Sequence, residues 1–231
     1  MDAGSAPLGL DGLLSEARLA RYLDRYRGDR KLALRLYTWN LAVSSAFWGP
    51  IGVLEVVVRN AIHQQLVGRT SRGDWWNDTR LHLCRNESDS IDSAVSTLIR
   101  RGTAAPTSDQ VVAATSFGLW TGLTGPGIAR DPLLSYETTL WQPRLQRAFP
   151  FRGDRRRKYI HARLDDVRVL RNRIAHHEPI YRSPLQQLHD DILEIAGMIH
   201  PDARAYIQEH SRAQEVIDQI RIALTTGEIR F

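Results

Sequence analysis

Apolar residues recur along most of the chain at three- and four-residue spacing, the period of helices that bury one face. Asp11 or Ser15 can open a first helix that runs through Tyr22 and Tyr26 and stops at Gly28. Asp29 reads as the N-cap of a long segment from Arg30 to about Gly68. Within that segment Pro50, flanked by Gly49 and Gly52, is expected to kink the helix or divide it in two. Ile51, Leu54, Val58, Ala61 and Leu66 recur near helical spacing, while Val53, Val56 and Val57 make the surface apolar nearly all round. Such a helix is expected to be buried on several sides.

Residues 69–86 read as an irregular connection, followed by a helix over about 88–101. Thr107-Ser108-Asp109-Gln110 has the form of a capping box, opening a helix through Val111, Phe117 and Trp120 that ends by Gly125. Gly125-Pro126-Gly127 is a turn, and a short helix is expected over 136–148. A helix from about 154 to 177 carries Leu164, Val167, Leu170 and Ile174 on its inner face. Ser183-Pro184 caps the next, with the stripe Leu185, Leu188, Ile192, Ile195 and Ile199, and a last helix covers about 213–225. No alternating strand pattern of useful length occurs, so the fold class is all-α, expected as one helical domain over residues 1–231 with irregular insertions.

Composition narrows the class. With 42% hydrophobic and 25% charged residues, the 231-residue chain is ordinary for a globular protein and can bury a substantial core. A single cysteine, Cys84, excludes an internal disulfide scaffold and fits a reducing compartment. Residues 1–15 carry acidic groups and no basic leader, and the apolar window 41–58 is short for a membrane span. The expectation is a cytoplasmic protein with no membrane partner. The net charge of +5 is uneven: residues 152–173 hold nine Arg or Lys against three Asp. That segment suggests a polyanionic partner such as RNA, or else a solvated loop that aids solubility.

The basic segment leads into Arg171-Asn172-Arg173-Ile174-Ala175-His176-His177-Glu178-Pro179, with a proline placed to end the helix. On a helix Asn172 and His176 share a face, as do Arg173 and His177. Arg171 lies five residues before His176, about 140° round the axis and about 7 Å along it, so one helix cannot close both around one phosphate. Two copies meeting across a two-fold axis could. His176 falls in the last turn, and an imidazole there can take a proton from a ribose 2′-hydroxyl or give one to the leaving 5′-oxygen. The planar fork of Arg171 suits the extra charge of a phosphorane-like transition state, and Asn172 can orient the histidine or hold a phosphate oxygen. This chemistry needs no metal or other cofactor. By chance alone, adjacent histidines before Glu-Pro are more often surface or capping residues than catalysts. A metal site from His161, His176 and His177 is disfavoured, because neighbouring helical histidines diverge and no carboxylate lies at ligand spacing.

The six residues from Arg171 to His176 are similar to the Arg-x4–6-His motif of the HEPN superfamily, with a polar residue directly after the arginine. Val167-Arg168-Val169-Leu170 and His177-Glu178-Pro179-Ile180 resemble the Abi-like, or abortive-infection, branch of that superfamily. So do Leu36-Tyr37-Thr38-Trp39-Asn40, Leu54-Glu55 with Val58-Arg59-Asn60-Ala61-Ile62, and Ser116-Phe117-Gly118-Leu119-Trp120. The likeness covers most of residues 20–200. It implies an up-and-down helical bundle that dimerises through the motif helices, forming a composite active site. It further implies a metal-independent endoribonuclease of phage defence or toxin–antitoxin type that leaves a 2′,3′-cyclic phosphate. By the same carry-over Arg171 and His176 form the catalytic pair with Asn172 beside them, and an antitoxin or other defence-system protein is a further expected partner.

Other residues stand beside the motif. Arg173, His177 and Arg168 are candidate supporting or substrate-binding residues. Glu55 and Arg59, four apart in an otherwise apolar helix, form an ordinary buried ion pair or serve the site, Glu55 steadying Arg171 or His176 while Arg59 or Asn60 touches RNA. Trp75-Trp76 stack bases or pack in the core. Two alternatives to the nuclease remain open at this level. One is a helical dimer that binds RNA or a nucleotide without cutting it, and the other is a partner protein in which Arg171 and His176 make interface hydrogen bonds only.

Overall fold

The computed structural model describes residues 14–231. Helix α1 (Glu16–Arg25) starts at Ser15, whose Oγ accepts the Arg18 N–H at 3.3 Å and satisfies one orphan donor of the first turn. Asp11, the other cap candidate, lies outside the described residues. Helix α2 (Arg30–Thr70) starts under Asp29, whose Oδ1 accepts the Leu32 N–H at 3.0 Å.

Pro50 does not divide α2, which continues through it. The proline removes one donor, but Phe47, Ile51 and Leu54 are buried on either side, and packing outweighs one lost helical bond. The expectation of burial on several sides is corrected. The stripe Val43, Phe47, Ile51, Leu54, Val58, Ile62 and Leu66 is buried, whereas Val56 is exposed and Val53 and Val57 are half-buried. By length and composition α2 could cross a membrane; its buried stripe is that of a helix packed within a protein.

A 3-10 turn (Trp75–Asn77) precedes α3 (Arg85–Arg100). Thr107 and Gln110 form the expected capping box at the start of α4 (Ser108–Ala114). The single helix expected beyond it is two, because Thr115 and Ser116 turn extended before α5 (Phe117–Leu123). The Thr115 hydroxyl donates to the Val112 carbonyl at 2.7 Å and accepts the Trp120 indole N–H at 2.9 Å, a local alternative to helical bonding. A π-turn (Glu137–Trp141) and a 3-10 turn (Leu145–Ala148) replace the short helix expected over 136–148.

Helix α6 (Arg157–Ala175) carries the motif, followed by α7 (Leu185–Ile199), α8 (Pro201–His210), α9 (Ala213–Asp218) and α10 (Ile220–Thr226). The chain is therefore all-α; among the described residues no β-strand forms, and a lone bridge joins Gly127 to Ser135.

The chain divides into two compact units. The first comprises the described residues up to Ile51, Val169–Asp190 and Gln208–Phe231. Its core includes Tyr22, Leu36, Trp39, Phe47, Leu170, Ile180 and Val216, and Trp39 Nε1 donates to the Val216 carbonyl at 2.8 Å. The Arg35 guanidinium donates to the carbonyls of Leu224, Thr225 and Thr226, which end α10 and lack helical partners.

The second unit comprises Gly52–Arg168 and Asp191–Ile207. Its core gathers Leu54, Val58, Trp75, Trp120, Leu140, Leu164 and Ile195. Trp75 Nε1 donates to His63 Nδ1 at 3.0 Å, and burial pushes the His63 imidazole below its ordinary range. The Tyr136 hydroxyl donates to Glu87 Oε2 at 3.0 Å and accepts the Cys84 N–H at 2.7 Å.

Candidate functional site

The motif occupies the C-terminal end of α6, in the first unit. Leu170 and Ile174 are buried and fix which face of this end turns inward. The helix stops before Pro179, through a left-handed residue. The His177 N–H bonds the Ile174 carbonyl at 3.0 Å and the Glu178 N–H bonds the Arg173 carbonyl at 2.8 Å, with His177 at φ 55°. This is a Schellman closure with histidine at the position that glycine favours. The Arg18 guanidinium donates to the His177 carbonyl, placing a cation at the negative end of the helix.

His176 is the last residue before that turn. Its N–H still bonds the Asn172 carbonyl at 3.0 Å, and the residue is exposed to solvent. Arg171 is half-buried, and its guanidinium carbon lies 5.7 Å from the Trp48 ring centroid, a cation–π distance. Asn172 is half-buried, and Arg173 Nη1 donates to Ser183 Oγ at 3.2 Å. Asn172 and Arg173 each lie three or four residues from both Val169 and His176, and of these four Val169, Arg173 and His176 are exposed.

The segment after the motif is held by a buried amide. Asn40 Oδ1 accepts the Ile180 N–H at 2.8 Å and the Tyr181 N–H at 3.2 Å. Tyr181 donates its hydroxyl to the Arg21 carbonyl at 2.7 Å and packs its ring 5.3 Å from that of Tyr22.

The remaining expected site residues lie in the second unit. Arg168 pairs with Asp165 at 2.8 Å. Arg59 is half-buried, with Nε 3.4 Å from Asn60 Oδ1; Glu55 is half-buried and Asn60 exposed. Trp75 is fully buried, so core packing rather than base stacking describes it, and Trp76 is half-buried against its edge. His161 Nδ1 faces Thr124 Oγ1 at 3.2 Å and the Thr121 carbonyl at 3.3 Å. Among the described residues no group of three or more His, Cys, Asp or Glu is arranged to hold a metal ion.

The basic segment is partly neutralised within the fold. Arg155 pairs with Glu194 at 2.7 Å, Arg157 with Glu137 at 2.6 Å, and Arg163 with both Asp191 and Glu194 at 3.2 Å. Arg163 also lies over the Tyr159 ring at 3.5 Å. Much of the charge at 152–173 is thus structural, which its sequence alone does not reveal.

The sequence assigned no role at the site to Trp48, Asn40 or Arg18. Asn40 was legible as a lone amide at core spacing between Leu36 and Val43, and Trp48 as a large ring beside Gly49. Arg18 carries no local signal, since its partner lies far along the chain. No family model, curated protein or solved structure matches the chain.

Proposed function

We propose that the protein is a cytoplasmic, metal-independent endoribonuclease of HEPN, Abi-like type, acting in bacterial defence or as the toxin of a toxin–antitoxin pair. The observation that carries this reading is the arrangement at one helix end: Arg171 is half-buried against Trp48, and His176 stands exposed at the rim. The exposed positions Val169, Arg173 and His176 offer a face on which a second copy can pack.

In the homodimer His176 of one copy takes the proton from the ribose 2′-hydroxyl, and the freed oxygen attacks the adjacent phosphorus. His176 of the other copy gives its proton to the departing 5′-oxygen, leaving a 2′,3′-cyclic phosphate. Both Arg171 side chains hold the equatorial phosphate oxygens as charge builds on them, and Asn172 orients the imidazole.

The test is incubation of purified protein with mixed cellular RNA in EDTA. Cleavage is expected to persist in chelator, to follow a bell-shaped pH profile, and to vanish in His176→Ala and Arg171→Ala variants that remain folded. Full activity in either variant overturns the assignment.

A further inference from the structure

Six tryptophans lie in the described residues, and their surroundings differ. Trp39, Trp75 and Trp120 are fully buried, and each donates its indole N–H to a partner inside the fold. Trp141 is buried and Trp76 half-buried. Trp48 alone is exposed, at 48%, although buried Phe47 precedes it and buried Ile51 lies one turn on. Exposing so large an aromatic surface forgoes burial that would be favourable, which points to a ligand rather than to the core.

Small, exposed residues stand beside Trp48 on the helix. Gly49 follows it, and a Cβ built there would meet nothing within 4 Å. Ser45, one turn earlier, is small and exposed. The Arg171 guanidinium carbon lies 5.7 Å from the ring centroid. Single strands are held by this combination of a cation for the backbone and an aromatic face for a base, and unpaired RNA bases stack readily because every base has a π-face. A phosphate on Arg171 would bring an adjoining base within reach of Trp48.

We propose that Trp48 is the stacking platform for a base of single-stranded RNA beside the phosphate held by Arg171. This inference rests on the nuclease reading of the same site. It makes Trp48 a substrate-binding residue that favours unpaired RNA, since a base inside a duplex presents no free face to the ring.

The experiment separates binding from cutting. Affinity is measured by fluorescence anisotropy with a labelled single-stranded oligoribonucleotide methylated at every 2′-hydroxyl, which has no internal nucleophile and stays intact. Turnover is measured on the unmodified oligoribonucleotide of the same sequence. Trp48→Ala is expected to weaken binding about tenfold or more and to raise KM to match, with kcat within about threefold of wild type. Trp48→Phe, which keeps an aromatic face, is expected to stay within about threefold on both.

The stacking role is overturned if Trp48→Ala binds as wild type does, or if kcat falls while KM is unchanged, which would mean that the ring acts only by placing Arg171. It is equally overturned if Trp48→Ala sediments as a monomer where wild type is a dimer, which would assign the ring to contact between copies. Should Arg171→Ala and His176→Ala cut normally, the nuclease assignment fails while the role of Trp48 is still read from the methylated probe. Wild type that neither binds nor cuts removes both.

Discussion

Asn40, only 3% exposed in α2, accepts the backbone N–H of Ile180 at 2.8 Å, and so ties the chain just beyond the Arg-His motif to the long helix. The same oxygen takes the Tyr181 N–H. The Ile180 donor is buried and the Tyr181 donor partly so, and a buried donor left without a partner costs about 1–3 kcal/mol. Asn40→Ala is therefore expected to destabilise the protein by about 2–4 kcal/mol, read as a fall in the urea midpoint with little change in slope. Asn40→Asp keeps the acceptor and should lose less.

His177 occupies a left-handed position at φ 55°. A side chain there costs about 1–2 kcal/mol relative to ordinary helix geometry, and glycine avoids most of that. His177→Gly is expected to raise stability by about 0.5–1 kcal/mol, whereas the β-branched His177→Val should lower it. Thermal unfolding of the two variants decides this.

His189 is buried at 6% exposure, 3.0 Å from Ser211 Oγ, and its ring meets Phe47 edge-on at 6.2 Å. Burial holds its imidazole below the ordinary histidine range, with the Asp190 carboxylate opposing weakly. A histidine kept neutral by folding takes up protons more readily in the unfolded chain, so its contribution is full above about pH 6.5 and is lost as pH falls below it. His63, similarly lowered, adds to the same trend. Wild type is expected to lose stability from about pH 6.5 downward, and His189→Gln to lose less across that range, by denaturant unfolding at stepped pH.

Arg155, Arg157, Arg163 and Arg168 pair with carboxylates, which leaves at most five of the nine basic residues at 152–173 of each subunit to meet phosphates. Single-stranded binding loses about 0.7 log units of affinity per log unit of salt for each phosphate neutralised. Because the proposed site draws on both subunits, at most twice that number of cations can face the RNA, and affinity is expected to fall with a log–log slope no steeper than about −7, measured by salt titration of the methylated oligonucleotide. A steeper slope would place further cations in the interface.

Legibility in the sequence followed the range of each interaction. Ser15, Asp29 and the Thr107–Gln110 box act within one helical turn; Asp29 and the box are legible as caps from the sequence, and Ser15 as one of two candidates beside Asp11. The break at Thr115 was missed because it depends on an indole five residues away that competes with the helix. Helix α8 was missed although Pro201 and Asp202 are an ordinary helix start. The arginine-to-histidine stretch stood out by composition. The carboxylates that neutralise its approach, Glu137 and Glu194, are distant in sequence, and so is the arginine that closes its end. Helical content and caps were therefore readable, while the electrostatics of the site were not.

The left-handed stop at His177 also makes the spacing of the motif a matter of length rather than of composition. Arg171 is anchored against the wall of α2 by its ring contact, and His176 is the final residue before the chain reverses. Inserting one amino acid between them would swing the imidazole about 100° around the axis and carry it off the rim. Exchanging Arg173 or Ala175 for residues of similar bulk would leave its bearing intact. Drift in this segment should therefore tolerate replacement far better than gain or loss of a residue.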